Sequence, residues 1–205
     1  MEKELKFALT QSQYRKLKSL CTKRVFEQTN VYFETPTRRL KREGAGLRVR
    51  IENSKRATLT LKMATAQTAK GTKRGWHSRQ EWEAALPLSL ALALTANRKR
   101  LTEVRSPVLT ILGKMLPGVE VESLTVLGKL ETARRPLRIG RYLGELDQWK
   151  VAGQTFYELE VEASDLAAAE KAVRDLFAAH KIPVRTRSQT KLATLFRLTK
   201  KRART

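Results

Sequence analysis

Residues 157–162 read YELEVE, in which Glu158, Glu160 and Glu162 alternate with Leu159 and Val161. A side-chain period of two sends the carboxylates to one face of a strand and the apolar residues to the other. The same period recurs far away in the chain. EKELKF (2–7) sets Glu2, Glu4 and Lys6 against Leu5 and Phe7, and GLRVRI (46–51) sets Arg48 and Arg50 against Leu47, Val49 and Ile51. In TLTLKM (58–63), Thr58, Thr60 and Lys62 alternate with Leu59, Leu61 and Met63. Segments around 30–34, 78–85, 126–134 and 137–148 are also strand-like, which makes about eight strands.

Two architectures fit such strands. One is an antiparallel sheet with its polar face in water. The other is a barrel whose interior is charged and whose apolar outside is covered by helices, since about eight strands enclose just enough space for a small ligand. The kind of polar residue bears on the choice. Some strands offer only carboxylates at alternate positions and others only Arg or Lys. The acidic rows would repel one another on a shared face unless cations sat between them.

Helices complete an α+β pattern. Thr10 and Gln13 have capping-box spacing ahead of Tyr14, Leu17, Leu20 and Cys21, which form one apolar stripe. SDLAAAEKAVRDLFAAH (164–180) reads as a helix with Ser164 as N-cap, stopped before Pro183. Helices are also expected around 88–96, around 107–115 and after Gln189.

The chain has 205 residues, 42 Lys and Arg against 20 Asp and Glu, and a formal charge of +22. With 41% hydrophobic residues it has enough apolar material for a core. One cysteine, Cys21, and two isolated histidines, His77 and His180, exclude an internal disulfide and a zinc cage. No apolar run reaches the roughly 18 residues of a membrane span, and MEKELKFALTQ lacks a signal core. The expectation is a soluble, cytoplasmic protein. The charge points to anionic partners: nucleic acid, polyphosphate, an anionic membrane surface or a small polyanion. Val184 to Thr205 holds eight Lys or Arg and no acid, ending in KKRAR, a run that reads as a solvated tail.

The ordered set of motifs resembles the CYTH superfamily, the triphosphate tunnel metalloenzymes, and in layout the short stand-alone bacterial members. It begins with the Glu2, Glu4, Lys6 array and continues through QTNVYFETP (28–36), GLRVR (46–50), TLTLK ending at Lys62, and RQEWE (79–83). TARR with Arg134, LDQW with Asp147, YELEVE, and SQTKLATLFR with Lys191 complete it. The resemblance implies one domain over 1–199 with 200–205 as a basic tail. Its fold would be an eight-stranded antiparallel closed barrel, a tunnel with helices on the outside. It implies a lumen that binds a triphosphate together with Mg²⁺ or Mn²⁺. Its basic residues map onto Lys6, Arg48, Arg50, Lys62, Arg134 and Lys191, with Lys6, Arg50 and Lys62 closest to catalysis. Its acidic ones map onto Glu2, Glu4, Asp147, Glu158 and Glu160 as metal ligands, with Glu162 and Glu81 as further candidates. Two positions depart from the family pattern: Glu34 stands where an aspartate is usual, and Thr190-Lys191-Leu192 replaces a Ser-Lys-Tyr-like motif.

The chemistry is consistent with these residue types. Arg forks bind two phosphate oxygens at once and Lys acts as a point charge, while hard cations prefer carboxylate oxygens. Phosphoryl transfer rests on positioning and charge neutralisation, so no nucleophilic side chain is required. Release of orthophosphate from tripolyphosphate or a small organic triphosphate is the first expectation. Thiamine triphosphate hydrolysis and cyclisation of ATP are the alternatives within the same site. A non-catalytic polyphosphate or nucleic-acid binder, using the basic surface and tail, is the alternative outside it.

Overall fold

The computed structural model of the chain describes residues 2–64, 76–187 and 189–202, and of residues 2, 76–78 and 200–202 the backbone. Eight antiparallel strands form one curled sheet: β1 (Glu2–Leu9), β2 (Phe26–Glu34), β3 (Ala45–Glu52), β4 (Arg56–Ala64), β5 (Trp76–Leu86), β6 (Thr125–Ile139), β7 (Tyr142–Val151) and β8 (Gln154–Glu162). The hydrogen-bonded order is β1-β5-β4-β3-β2-β6-β7-β8, and β8 pairs again with β1. The β1–β5 seam is short, running from Glu2↔Arg79 to Leu5↔Trp76. Among the described residues the α-helices are α1 (Gln11–Lys18), α2 (Arg39–Arg42), α3 (Leu88–Thr95), α4 (Pro107–Met115), α5 (Leu166–Ala179) and α6 (Lys191–Arg202).

The period-two strands explain the layering. Their odd-numbered residues in β1, β3, β4 and β8 point outward, where helices cover them. Leu47, Val49, Leu59 and Leu61 are buried beneath α2, α3 and α4 together with Ala91, Leu94 and Leu112. Leu5, Phe7, Leu159 and Val161 are buried with Tyr14 and Leu17 of α1 and Val173 and Phe177 of α5. Each large side chain buried in this way contributes about 1.5–3 kcal/mol, so the apolar half of each strand carries the stability and leaves the charged half to the lumen.

A third cluster lies on the lumen side. Tyr32, Leu130, Trp149 and Val151 pack with Leu195 and Leu198 of α6, so the C-terminal helix fills one end of the lumen. Two glycines let it approach. A Cβ on Gly46 would lie 2.7 Å from Leu192 Cδ2, and one on Gly128 would lie 2.8 Å from Leu195 Cδ1. Thr190 caps the helix, its Oγ1 accepting from the Ala193 amide at 3.1 Å. The helix backbone runs on to Arg202, so the first residues expected to form the basic tail are helical. Residues 203–205 lie outside the described part.

Several local expectations are corrected. Asp165, not Ser164, caps α5, because its carboxylate accepts from the amides of Ala167 and Ala168. The strand expected over 137–148 is the end of β6, a turn at Gly140 with φ +55°, and most of β7. The capping box of Thr10 with Gln13 is present.

Glu34 is a structural cap. Its carboxylate accepts from the amides of Thr35 at 2.8 Å, Leu40 at 3.0 Å and Lys41 at 2.9 Å, and the residue is buried. Glu34→Ala leaves those amides unpaired and is expected to destabilise the protein by about 1–3 kcal/mol. Urea denaturation should show this as a lower midpoint with an unchanged slope.

Candidate active site

A cavity of about 240 Å³ occupies the lumen, and its walls are charged. On one wall, Arg48 and Arg50 from β3, Lys62 from β4 and Arg79 from β5 accompany the carboxylate of Glu81. Lys62 Nζ lies 2.7 Å from Glu81, and Arg48 lies 3.5 Å from it. Arg50 Nε donates to the neutral Asn30 Oδ1 at 2.9 Å, and no carboxylate pairs with it among the described residues. Arg48 Nε is buried and has no hydrogen-bond partner. Burial, then Arg48 and Arg134, pull the Arg50 pKa down to about 10, so it stays cationic at neutral pH. Arg48 and Arg50 also hold the buried Tyr32 phenol below its ordinary value, against the upward push of burial.

The facing wall is built from β1, β6, β7 and β8. Glu4, Glu145, Glu160 and Glu162 line it with Lys6, Arg134 and Lys191. Asp147 and Glu158 lie beside them, wholly buried. One oxygen from each of Asp147, Glu158 and Glu160 lies within 4.8 Å of the others. Arg134 holds Asp147 with both ends of its fork, Nε at 2.9 Å and Nη2 at 2.8 Å. It also reaches Glu160 at 2.8 Å and pairs with Glu145. Lys6 Nζ donates to Glu160 at 2.5 Å and lies 3.1 Å from Glu4. Lys191 Nζ lies 2.7 Å from Asp147, 2.6 Å from Glu158 and 3.0 Å from Glu160.

The protonation balance follows from these contacts. Burial pushes the Glu160 carboxyl up, but Lys191, Lys6 and Arg134 outweigh it and hold the group well below the ordinary carboxylate range. Asp147 is lowered in the same way by Arg134 and Lys191. Glu158 goes the other way, because burial prevails over Lys191. Its two oxygens accept no hydrogen bond, although Lys191 and Arg187 lie 2.6 Å and 3.2 Å away as ion partners. Lys6 and Lys191 are held above the ordinary lysine range by their carboxylates despite burial. Both are therefore ammonium groups rather than bases.

The donor set suits a hard divalent ion. It consists of three buried carboxylates at close range, one of them with both oxygens free of hydrogen bonds.

Every basic residue expected from the sequence lines this cavity: Lys6, Arg48, Arg50, Lys62, Arg134 and Lys191. Of the expected acids, Glu4 and Glu160 line it, while Asp147 and Glu158 join Glu160 in the triad. Glu4 pairs with Lys6 and lies outside that triad. The Glu2 side chain falls outside the described residues. Arg79, Glu145, Tyr32 and Arg187 were not foreseen. Glu145 stands two residues before Asp147 and Arg79 two before Glu81, so period two alone could have placed both on the lumen face. Arg187 lies in the segment leading into α6, and no pattern in the chain marks it. Trp149 is packing, fully buried and stacked on Phe156 with ring centroids 4.4 Å apart.

The family model of the CYTH domain matches residues 1–194. The chain belongs to the CYTH domain family. Similar solved structures agree with that fold. A proposed adenylyl cyclase from Hippeastrum, HpAC1, with a dominant triphosphatase activity, is 20% identical with a TM-score of 0.82 over 96% of both chains. A proposed adenylate cyclase from Bacillus halodurans is 22% identical, with a TM-score of 0.74 over 96% of this chain and 100% of that one. PH1012 from Pyrococcus horikoshii is 24% identical, with a TM-score of 0.52 over 91% and 96%. No curated protein matches the chain. Among the described residues of this CYTH domain, no helix is long and apolar enough to cross a membrane.

Proposed function

We infer that this CYTH protein is a cytoplasmic, metal-dependent triphosphatase, a single domain over 1–199 whose barrel lumen is the reaction chamber. Its substrate is tripolyphosphate or a small organic triphosphate. The observation that carries the reading is the pair of half-buried guanidiniums on β3. Arg50 donates to a neutral amide, and Arg48 keeps a buried donor unpaired. Across the cavity stands the carboxylate triad. Half-buried cations with donors left over, Arg48 Nε beside its Glu81 pair and Arg50 on a neutral amide, suit a polyanion, because phosphate oxygens complete their hydrogen bonds.

In this reading Arg48, Arg50, Lys62 and Arg79 orient the phosphate chain, and Lys6 and Arg134 face the group being transferred. A divalent ion held by Asp147, Glu158 and Glu160, Mg²⁺ or Mn²⁺, would supply Lewis acidity for phosphoryl transfer. Water attacks the terminal phosphorus, the P–O bond of the anhydride breaks, and orthophosphate leaves with the shortened chain. Lys6, fixed as an ammonium, neutralises charge as it builds on the phosphoryl oxygens. The excess positive charge of the chain draws such polyanions toward the protein.

Tyr32 is the only aromatic side chain lining the cavity among the described residues, and it is buried. That favours inorganic or small triphosphates over a nucleotide cyclase, which needs a base pocket. The test is orthophosphate release from tripolyphosphate, thiamine triphosphate and ATP with Mg²⁺ or Mn²⁺, with cyclic AMP measured alongside. Release from tripolyphosphate without cyclic AMP is expected. No release from any of the three would overturn the reading.

A further inference from the structure

Among the described residues, four cations touch the Asp147, Glu158, Glu160 triad, and three of them are tied elsewhere as well. Lys6 also lies against Glu4 at 3.1 Å, and Arg134 also pairs with Glu145. Arg187 donates to Gln189 O at 2.9 Å and to Thr194 Oγ1 at 3.1 Å, and its guanidinium lies 5.0 Å above the Trp149 ring. Lys191 differs from them. Its Nζ makes its three contacts with the triad, at 2.6–3.0 Å, and none elsewhere among the described residues.

That places one ammonium among the same oxygens that would hold a divalent ion. Divalent cations sit about 2.0–2.6 Å from carboxylate oxygens, so the ion and the ammonium claim the same space and repel each other. Lys191 is also the side chain able to leave. It stands on the first residue of α6, its flexible stem carries a compact charge, and it lines the cavity that Arg48 and Arg50 face.

We propose that Lys191 is a tethered occupant of the carboxylate triad, which a divalent metal must displace, and that the displaced ammonium then turns to the polyanion in the cavity. The inference rests on the triphosphatase reading for the identity of that polyanion, but not for the competition itself. One side chain thereby couples the two ligands. Metal frees a cation for the anion, and an anion that captures the cation frees the triad for metal. By linkage the two effects are equal in size.

The test is Mn²⁺ binding to the full chain without any phosphate compound, followed by titration calorimetry or by the electron spin resonance of free Mn²⁺. Lys191→Met is compared with the unaltered protein. The variant is expected to bind Mn²⁺ about tenfold more tightly, within the common range of coupling factors of about 5–150-fold. With chelator its Tm falls below that of the unaltered protein, and saturating Mn²⁺ raises it by a larger increment. Should Lys191→Met not fold, Lys191→Gln keeps hydrogen-bond donors for the triad and is expected to show the same tightening. Equal Mn²⁺ affinity in variant and unaltered protein, or no Mn²⁺ binding by either, overturns the inference. Because no triphosphate is present, a wrong substrate assignment leaves this outcome untouched.

Discussion

Arg50→Ala is expected to lower kcat/KM for tripolyphosphate by about 10²–10³-fold, the size of effect seen when one donor to a developing negative charge is removed. The reason lies in what Arg50 does not touch. Its Nε meets a neutral Asn30 oxygen, and burial first, then repulsion from Arg48 and Arg134, depress its pKa to about 10. In the protein without ligand, a charge desolvated and repelled in this way opposes folding. Removing it should therefore leave Tm unchanged or raise it while activity is lost. Thermal unfolding in chelator beside steady-state kinetics checks both halves. A variant that loses activity and stability together would show Arg50 to be a structural ion-pair partner. One that keeps activity would remove β3 from the substrate wall.

Glu160→Gln has the opposite profile. Glu160 is the carboxylate on which Lys6, Arg134 and Lys191 converge. Its neutralisation leaves buried cations short of an anion, a change that costs about 3–5 kcal/mol when a buried pair is broken. Activity falls with it, because the same change removes a charged oxygen from the triad. The pH dependence has a definite sign. The Glu160 carboxyl is held well below its ordinary value in the folded protein, so its contribution is complete above the ordinary glutamate pKa of about 4.3. It is lost as pH falls from there through the depressed folded value. Denaturation curves of the metal-free protein should accordingly converge with those of Glu160→Gln at the acid end of that window. Curves that stay parallel down to strong acid would mean that the carboxylate is not held by its cations.

The two variants together separate the two walls of the cavity. One wall is short of anions and is tuned for binding. The other ties its cations to carboxylates and is coupled to folding.

Much of this was legible in the chain because a strand reports its facing directly. Alternation at Glu4 and Lys6, at Arg48 and Arg50, and at Glu158 and Glu160 assigned those side chains to one face, and the odd-numbered leucines and valines between them to the helices outside. Local chemistry was equally readable for α1, where Thr10 and Gln13 cap each other. It was less readable for α5, where Ser164 and Asp165 are both good caps and only the backbone geometry selects Asp165. The 137–148 segment reads as one strand in the sequence because the turn of Gly140 and Arg141 interrupts it without any Pro or Asn-Gly signal.

Period two fixes which face a side chain takes, since that depends only on its immediate neighbours along the strand. Residue types at that face determined that the interior had to bring acids and cations together. Which acid meets which cation depends on strand order, register and the entry of a distant helix, contacts such as that of Lys6 with Glu160 across 154 positions. Only the tertiary structure decided that Lys191 lies inside the triad, that Arg50 meets a neutral amide, and that the leucines of α6 fill one end of the lumen over Gly46 and Gly128. Electrostatic and packing energies depend on distance in space, and separation along the chain does not encode it.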